Sequence, residues 1–447
     1  MNAHAHPAPG PVRFTRTTLL VLALPLLPLA AQSAAPDPAQ APAAEPAPTT
    51  VAAPVPAPTP AAPAPAPVAA VAPAPAPLLA GLPKPTLSIY GIFDAYAGYT
   101  DAGGKPGNSS IASLDSGGYS ANRIGFQGSE DIPWGLKVNM DLENGFMGDT
   151  GGLADGTSTT SQTSRIFNRQ CWGGLSGGFG EVRFGRQNTI LQTQLGNTDP
   201  FNGGTFASFF NNFSGYASRF DNVLMYKAPV CSGLALQFQF APGELAATKT
   251  GLNLYVASAE YTQGGLYLLA NYQMQKSANT KVNVTSSFSA ATYNFGKAKV
   301  YAAFYRGNNI GSNIGVVSGG TAINAAGGNP NVASNFNNVE GCWYDGYELS
   351  GIYHVNQWLS LGGGYGWAKD LSSGKHNDVS EPSLIATLDV TKKLMFYSTW
   401  GRMANKNNAQ FYLAAAGPVE NKNTPAKGQN EDGFQIGFRY LFGGALL

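Results

Sequence analysis

From residue 84 to its end, this 447-residue chain is written in segments of about ten residues in which apolar and polar side chains alternate. In the segment 136–143 every second residue is apolar, and the residues between them are charged or carry an amide. Burying four such polar side chains in a packed core would be prohibitively costly, whereas water accepts them without penalty. The alternation therefore predicts β-strands whose polar face meets water and whose apolar face does not.

The last such segment, 434–442, indicates what lies on the apolar side. Its alternate positions carry Phe434, Ile436, Phe438, Tyr440 and Phe442, so aromatic side chains crowd the end of one face. This arrangement is typical of a strand that faces lipid and enters the aromatic belt of a membrane. An arrangement with apolar residues outside and polar residues inside is the reverse of that in a soluble protein.

Sixteen segments of this kind predict an all-β fold, a transmembrane antiparallel β-barrel of about 16 strands. The connections between them are alternately very short and long, and the long ones are rich in Gly, Asn and Ser. Such asymmetry is typical of an outer-membrane barrel, and sixteen strands leave room for an aqueous channel. The predicted strands are 88–99, 122–132, 136–146, 168–175, 181–186, 221–229, 234–242, 254–261, 266–275, 287–295, 299–307, 346–355, 359–369, 382–390, 394–404 and 433–442.

Composition agrees with this reading and excludes other classes. Charged residues make up 12% of the chain and the net charge is +1, which leaves no electrostatic footprint for nucleic acid. No apolar run reaches the roughly 18 residues that a transmembrane helix needs. A membrane protein without such a run must be a closed barrel, because lipid satisfies no backbone polar group. Three scattered cysteines predict no metal site, and no pattern predicts a cofactor.

The first 86 residues differ in texture from the rest. Residues 1–34 predict a secretory signal peptide, since Arg13 and Arg16 precede the apolar stretch 19–31 and small residues follow it. Residues 35–86 predict a linker, because 36–85 is almost wholly Ala and Pro and favours an extended polyproline rod. We expect it in the periplasm, either as a passive spacer or as a tether to the cell wall. The barrel is predicted over 87–442, with 443–447 as an extension.

The connection 187–216 stands apart from the other long connections. It is rich in phenylalanine and holds a single acidic residue, Asp199. So apolar a loop should not lie in solvent, and its length indicates a function. Folding inward against the barrel wall would bury its rings and narrow the channel. The alternative is an exposed outer loop at a subunit contact.

Beyond these patterns the chain carries several specific motifs: IYGIFD (89–94), NRIGFQGSED (122–131), GLK (135–137), LE (142–143), FNRQ (167–170), LSG (175–177), FGEVRFGRQ (179–187), RFDN (219–222) and TKKLMFY (391–397). Together they resemble the general porins of beta-proteobacteria, a family of trimeric Gram-negative outer-membrane porins. The resemblance covers residues 87–442, and the Ala/Pro segment lies outside it.

The resemblance implies a sixteen-strand barrel with an inward-folded third loop, assembled as a homotrimer in the outer-membrane lipid. It also implies a water-filled channel for the passive diffusion of small ions and polar solutes, with basic side chains facing acidic groups at a constriction. The candidate constriction and lumen residues are the basic Arg123, Arg183 and Arg219, the acidic Glu143 and Asp199, and Lys137 and Asp141.

Two further arginines match the family motifs but not the alternation. Strict alternation from Leu175 and Phe184 aims Arg169 and Arg186 at lipid, so either the strands are bulged there or these residues lie at a rim. They are second-tier candidates. For every candidate the alternative is an ordinary lumen or loop charge without a tuned role.

This sequence departs from the family pattern in three places. Met225 stands where the family often has an arginine, which leaves anion preference open. The family has no Ala/Pro arm. Its chains end at an aromatic residue that helps the barrel-assembly machinery recognise the last strand, a signal that Phe438, Tyr440 and Phe442 fit. Five residues nevertheless follow Phe442. A form trimmed to Phe442 is expected to assemble at least as well.

Two other functions are considered. A hydrolase needs a serine within reach of a histidine that a third group orients. In the barrel region the histidines are His354, predicted near a turn, and His376, predicted in an outer loop, so we expect no enzyme. The remaining alternative is a barrel that acts mainly as an outer-membrane anchor or cell-wall tether through residues 36–85.

Overall fold

The computed structural model describes residues 84–103, 110–154, 165–213, 218–243, 253–276, 283–308, 343–371, 376–416 and 423–446. The predicted signal peptide and nearly all of the predicted linker lie outside these residues. The strands are β1 (Thr86–Ala102), β2 (Ser110–Ser116), β3 (Arg123–Ile132), β4 (Leu136–Gly145), β5 (Gln170–Gly177), β6 (Gly180–Asn188), β7 (Arg219–Lys227), β8 (Leu234–Ala241), β9 (Leu254–Gln263), β10 (Leu266–Gln275), β11 (Val284–Asn294), β12 (Ala298–Asn308), β13 (Trp343–His354), β14 (Leu359–Asp370), β15 (Val379–Asp389), β16 (Leu394–Asn405) and β17 (Glu431–Ala445).

These strands form one closed antiparallel barrel, as the alternation predicts. From β3 onward each strand pairs with the next in sequence, and β1 closes the barrel by pairing with β17 over fifteen residues, Ser88–Ala102. On its other edge β1 pairs with β3 near its start and with β2 near its end. Because β2 and β3 share one place, the strands form a sixteen-strand barrel. Closure removes the sheet edges that lipid would leave unsatisfied.

The exposure pattern of the strands is the reverse of that in a soluble protein. On β4, Val138 and Met140 are 44% and 38% exposed, whereas Asp141 and Glu143 are 3% and 2% exposed. On β17, Phe434 and Ile436 are exposed and Gln435 between them is fully buried. The apolar face therefore looks outward and the polar face inward, as the sequence predicts.

Loop residues and inward-facing strand residues together form the apolar packing inside the barrel. Two short helices, α1 (Ile190–Gln194) and α2 (Phe209–Phe213), lie in the connection between β6 and β7, here called the third loop (residues 189–218). Their buried side chains form one cluster with Phe288 of β11 and Tyr397 of β16. Among the described residues, no helix is long and apolar enough to cross a membrane.

The barrel differs from the prediction in two places. Strand β2 was not expected, and the chain between it and β3 turns inward at Gly117–Asn122, the inner bend, because Asp94 accepts hydrogen bonds from the amides of Gly118 and Ser120 at 2.9 and 2.8 Å. Strand β17 runs past Phe442 to Ala445, since residues 443–445 pair with the start of β1 and leave fewer of its backbone groups unpaired. Only the last two residues follow that strand.

Candidate functional site

The third loop folds into the barrel, as its composition predicts. Three contacts to inward side chains hold it there: the Ile190 amide donates to Gln239 of β8 at 3.1 Å, Gln194 pairs with Ser258 of β9 at 2.9 Å, and the Phe206 amide donates to Gln435 at 2.9 Å. The loop therefore reaches from β8 across to the closing strand.

Its aromatic rings pack against inward-facing glycines on the far wall. A methyl group added at Gly366 of β14 would lie 2.1 Å from Cγ of Phe209, and one at Gly346 of β13 would lie 2.3 Å from a ring carbon of Phe213. Any larger residue there would collide with the ring. The glycines of these strands, together with the loop's phenylalanines, explain why the loop rests on this wall.

The opposite wall carries a cluster of arginines, here called the basic cluster: Arg123, Arg169, Arg186 and Arg219. Arg169 donates to Glu143 at 2.6 Å, and Arg123 lies 3.9 Å from the same carboxylate. Arg186 pairs with Asp221 of β7 at 2.6 Å. Arg165 also pairs with Asp221, at 3.0 Å. The arginines of this wall therefore outnumber their carboxylate partners Glu143 and Asp221, which leaves a local excess of positive charge.

Local irregularities bring the two second-tier arginines into this cluster. The pairing of β6 with β7 shifts register between Gly185 and Gln187, a bulge that frees Arg186 from the alternation set by Phe184. Arg169 precedes the first residue of β5, so strand alternation does not fix its direction. Both side chains are largely buried.

Arg219 also lies in the cluster, at the first position of β7. Its Nε donates to Asn188 at 2.9 Å, and its charge interacts with those of Arg169, Arg186 and Glu143. Met225, further along the same strand, is buried against Gln239. The positive wall therefore forms without an arginine at position 225.

Other predicted lumen residues lie elsewhere on the inner wall. Arg183 pairs with Glu181 at 2.9 Å and stacks 4.0 Å above the ring of Trp172. Asp141 accepts a hydrogen bond from the Tyr90 hydroxyl at 2.9 Å.

Lys137 lies 3.4 Å from Asp131 across the β3–β4 hairpin, two residues from its short turn, and both side chains are partly exposed. It is separate from the basic cluster.

Asp199 is buried within the third loop. Its carboxylate accepts from the amides of Phe201 and Gly203 at 2.7 and 3.1 Å and from the Ser208 hydroxyl at 2.8 Å. Burial raises the pKa of this carboxyl from 3.8 to about 6, although these hydrogen bonds oppose the shift. The contacts give Asp199 a part in shaping the loop, and its part in a constriction stays a prediction.

Several interior charges were missed from the sequence. Glu381 of β15 is fully buried and accepts from Asn212 of the third loop at 3.0 Å, and Glu348 of β13 is 4% exposed. Leu349, next to Glu348, is 64% exposed, so alternation alone would have placed Glu348 inside. Arg439 of β17 lies 4.9 Å from the ring of Tyr119 in the inner bend.

These positions give the barrel interior two chemically different walls. Arginines predominate on β3 to β7, whereas Glu348, Glu381 and Asp199 are acidic residues on or behind the third loop. Among the described residues, no group of three His, Cys, Asp or Glu side chains is arranged to hold a metal ion.

Known proteins with this architecture were found by comparison. The family model described as Gram-negative porin matches residues 59–408, which is most of the chain. The chain belongs to the Gram-negative porin family. Its fold agrees, since the anion-selective porin from Comamonas acidovorans superimposes with a TM-score of 0.62 at 22% identity, over 80% of this chain and all of that one.

Similar porins come from beta-proteobacteria, as the motifs suggest. An outer membrane porin of Bordetella pertussis is 26% identical over 249 residues, which are 49% of this chain and 63% of that protein. Outer membrane porin protein 32 of Delftia acidovorans is 30% identical over 236 residues, 49% of this chain and 64% of that protein. The chain thus spans slightly less than two thirds of the length of these relatives.

Proposed function

We propose that this porin forms a water-filled channel in the outer membrane through which small hydrophilic solutes and ions diffuse passively. The observation that carries the proposal is the reversed barrel, with exposed apolar side chains outside and charged side chains inside, beside an inward-folded loop. A packed protein core would not hold so many charges, whereas a wet lumen would. Family membership supports the same activity.

The proposed constriction is the space between the basic cluster and the third loop. Arg123, Arg169, Arg186 and Arg219 form its basic side, with Glu143 as the acidic partner among them. The excess of guanidinium groups favours small anions, because a lumen of one charge sign concentrates counter-ions. The similar Comamonas protein is described as anion-selective, which supports this preference.

Planar-bilayer recording of the purified full chain tests the proposal. We expect discrete conductance steps and, under a KCl gradient, a reversal potential of the sign that indicates chloride preference. A folded barrel that inserts but conducts no current would refute the channel. Conduction with potassium preference would retain the channel and refute the proposed role of the basic cluster.

The surroundings of the barrel follow from the same proposal. Residue Thr86, where β1 starts, pairs with Ser129 near the short β3–β4 turn, so the preceding chain leaves the barrel at the short-turn end, the periplasmic end in our orientation. We propose a signal peptide over 1–34 and a periplasmic linker over 35–86. A homotrimer and recognition of Phe438, Tyr440 and Phe442 by the assembly machinery remain predictions.

The linker offers a second role that coexists with the channel. Deletion of residues 36–85 is expected to leave conductance unchanged and to abolish any association with isolated cell wall. Conductance lost together with wall association would show that the arm is needed for the pore itself.

We propose no enzymatic activity. His354 does have a serine partner, since its Nδ1 lies 2.8 Å from the Ser360 hydroxyl, but the pair is at the short-turn end of β13 and β14. No carboxylate of the described residues is bonded to His354, so the pair lacks the third group that orients a catalytic base.

A further inference from the structure

A second outer loop enters the barrel besides the third loop. The connection between β16 and β17 contains the sequence AQFYLAAA at residues 409–416, which carries no charge. We call these eight residues the strap. Ala409 and Phe411 are 0% exposed, and Tyr412 and Leu413 are 1% and 3% exposed, although the strap has no regular secondary structure. Loops ordinarily run over the surface, so burial of this extent needs a cause.

The strap is bonded directly to the third loop. Asn211 of α2 donates its side-chain amide to the Ala414 carbonyl at 2.8 Å, and the Ala414 amide donates to the Asn212 side chain at 2.8 Å. The Phe411 ring packs on Phe213, with 5.9 Å between ring centroids. Neighbouring residues of α2 therefore contact the strap through polar and apolar contacts together.

Asn212 links the strap to the barrel wall. While its carbonyl oxygen accepts from Ala414, its amide group donates to the Phe206 carbonyl at 2.9 Å and to Glu381 of β15 at 3.0 Å. The Asn212 side chain thereby connects the strap, α2, the Phe206 segment of the third loop and the barrel wall. Such a junction holds its members in one arrangement, because each buried polar group left without a partner is costly.

The strap is in turn anchored from β17. The Leu413 amide donates to Glu431 at 2.7 Å, and the Leu413 side chain lies against Gly433. At its other end Ala416 approaches Gly204 of the third loop, where an added methyl would lie 2.7 Å from Ala416 and 3.0 Å from the Tyr119 carbonyl. The strap, the third loop and the inner bend thus meet at Gly204.

We propose that the strap is a positioning element of the pore, which fixes the third loop against the wall and with it sets the width of the constriction. The inference deepens the proposed function and rests on it for its conductance readout. In this arrangement the third loop is held on one side by the wall glycines and on the other by the strap. A wider or more mobile constriction follows when the strap is removed.

The test replaces residues 409–416 of the full chain by Gly and Ser at unchanged length. We expect third-loop amides, including that of Phe206, to exchange hydrogen roughly tenfold faster or more, as for a local opening that has lost a well-made contact. Single-channel conductance is expected to increase by roughly 1.5-fold or more, with larger fluctuations, because conductance follows pore width.

Point variants distinguish a specific effect of the strap from a general loss of structure. Phe411→Ala removes the ring that packs on Phe213, and Phe396→Ala removes a lipid-facing ring from β16 that is 45% exposed. The first is expected to reproduce the strap effect in part and the second to behave as wild type. Heat-dependent gel mobility verifies that each barrel is folded.

The outcomes separate the two proposals. Unchanged exchange and conductance in folded strap and Phe411→Ala variants would overturn the positioning role while leaving the channel intact. Faster exchange in a protein whose wild type conducts no current would support the positioning role and refute the channel. Equal effects of Phe411→Ala and Phe396→Ala would show that the strap has no special part.

Discussion

Gly366 of β14 provides a direct test of how the third loop is seated. A methyl group at this position would lie 2.1 Å from Cγ of Phe209, whereas ordinary van der Waals contact begins at 3.4 Å. In Gly366→Ala the ring must therefore retreat by about 1.3 Å. Phe209 is 1% exposed and stacks on Phe213 with 5.0 Å between centroids, so a displaced ring disturbs α2 as a whole.

The magnitude follows from the cost of overpacking. Inserting a methyl into a filled site costs about 1–3 kcal/mol. The strand is held by ladders on both sides, whereas α2 is a short loop helix, so the loop absorbs most of the change. At about 1.4 kcal/mol per factor of ten, the ratio of undocked to docked loop rises by roughly 5- to 150-fold.

Single-channel recording measures this change as added noise in the open level and as a higher mean conductance. Gly363→Ala is the matched control, because Gly363 lies on the same strand but faces outward, with the Leu384 side chain 3.2 Å from an added methyl. In the double variant Gly366→Ala/Phe209→Ala the glycine change should add almost nothing to the effect of removing the ring. Identical traces for Gly366→Ala and Gly363→Ala would refute the seating of the loop on this wall.

Three further predictions concern other parts of the molecule. Glu143→Gln removes the carboxylate that Arg123 and Arg169 share, and the reversal potential under a KCl gradient should shift toward stronger anion preference; a shift toward cations would contradict the basic wall. Truncation after Phe442 removes the pairing of residues 443–445 with β1 and the 2.7 Å bond from the Leu446 amide to Leu87. Each hydrogen bond contributes about 0.5–1.5 kcal/mol, so the unfolding midpoint of the truncated barrel should fall, and an unchanged midpoint would show that these bonds add nothing. Burial raises the pKa of Asp199 to about 6, so the docked loop binds a proton more tightly than the undocked loop. The docked loop is therefore most stable below the usual carboxyl pKa of 3.8 and becomes less stable as the pH rises through about 6. Amide exchange in the loop, corrected for its intrinsic pH dependence, should be slower at pH 5 than at pH 7, and Asp199→Asn should abolish this difference.

The strands were predictable because their signal is local. Alternation in 266–275 gives the observed bounds of β10, and most other strands begin and end within three residues of the prediction. The inward course of the third loop was predictable from composition for the same reason. Exposing a loop rich in phenylalanine to water is unfavourable, and the barrel interior is where its rings can be buried.

What could not be predicted depends on partners distant in sequence. The inner bend exists because Asp94 captures amides more than twenty residues away, and nothing in Gly117–Asn122 itself indicates that contact. The bulge that directs the Arg186 side chain toward the basic cluster likewise depends on the pairing of β6 with β7. The strap carried the same apolar signal as the third loop, and its burial was predictable by the argument already applied there.

The inward-folded segments fill part of the wide interior that a sixteen-strand barrel encloses. Sixteen strands enclose a lumen too broad for their own side chains to fill. The third loop and the strap complete the packing inside it, with Phe209, Phe213 and Phe411 placed against inward-facing residues of β13 to β17. That packing occupies one side of the lumen and leaves the arginines of β3 to β7 on the other. In the proposed channel we therefore expect the width of the constriction to depend on the third loop and the strap, and its charge to depend on the arginines of β3 to β7.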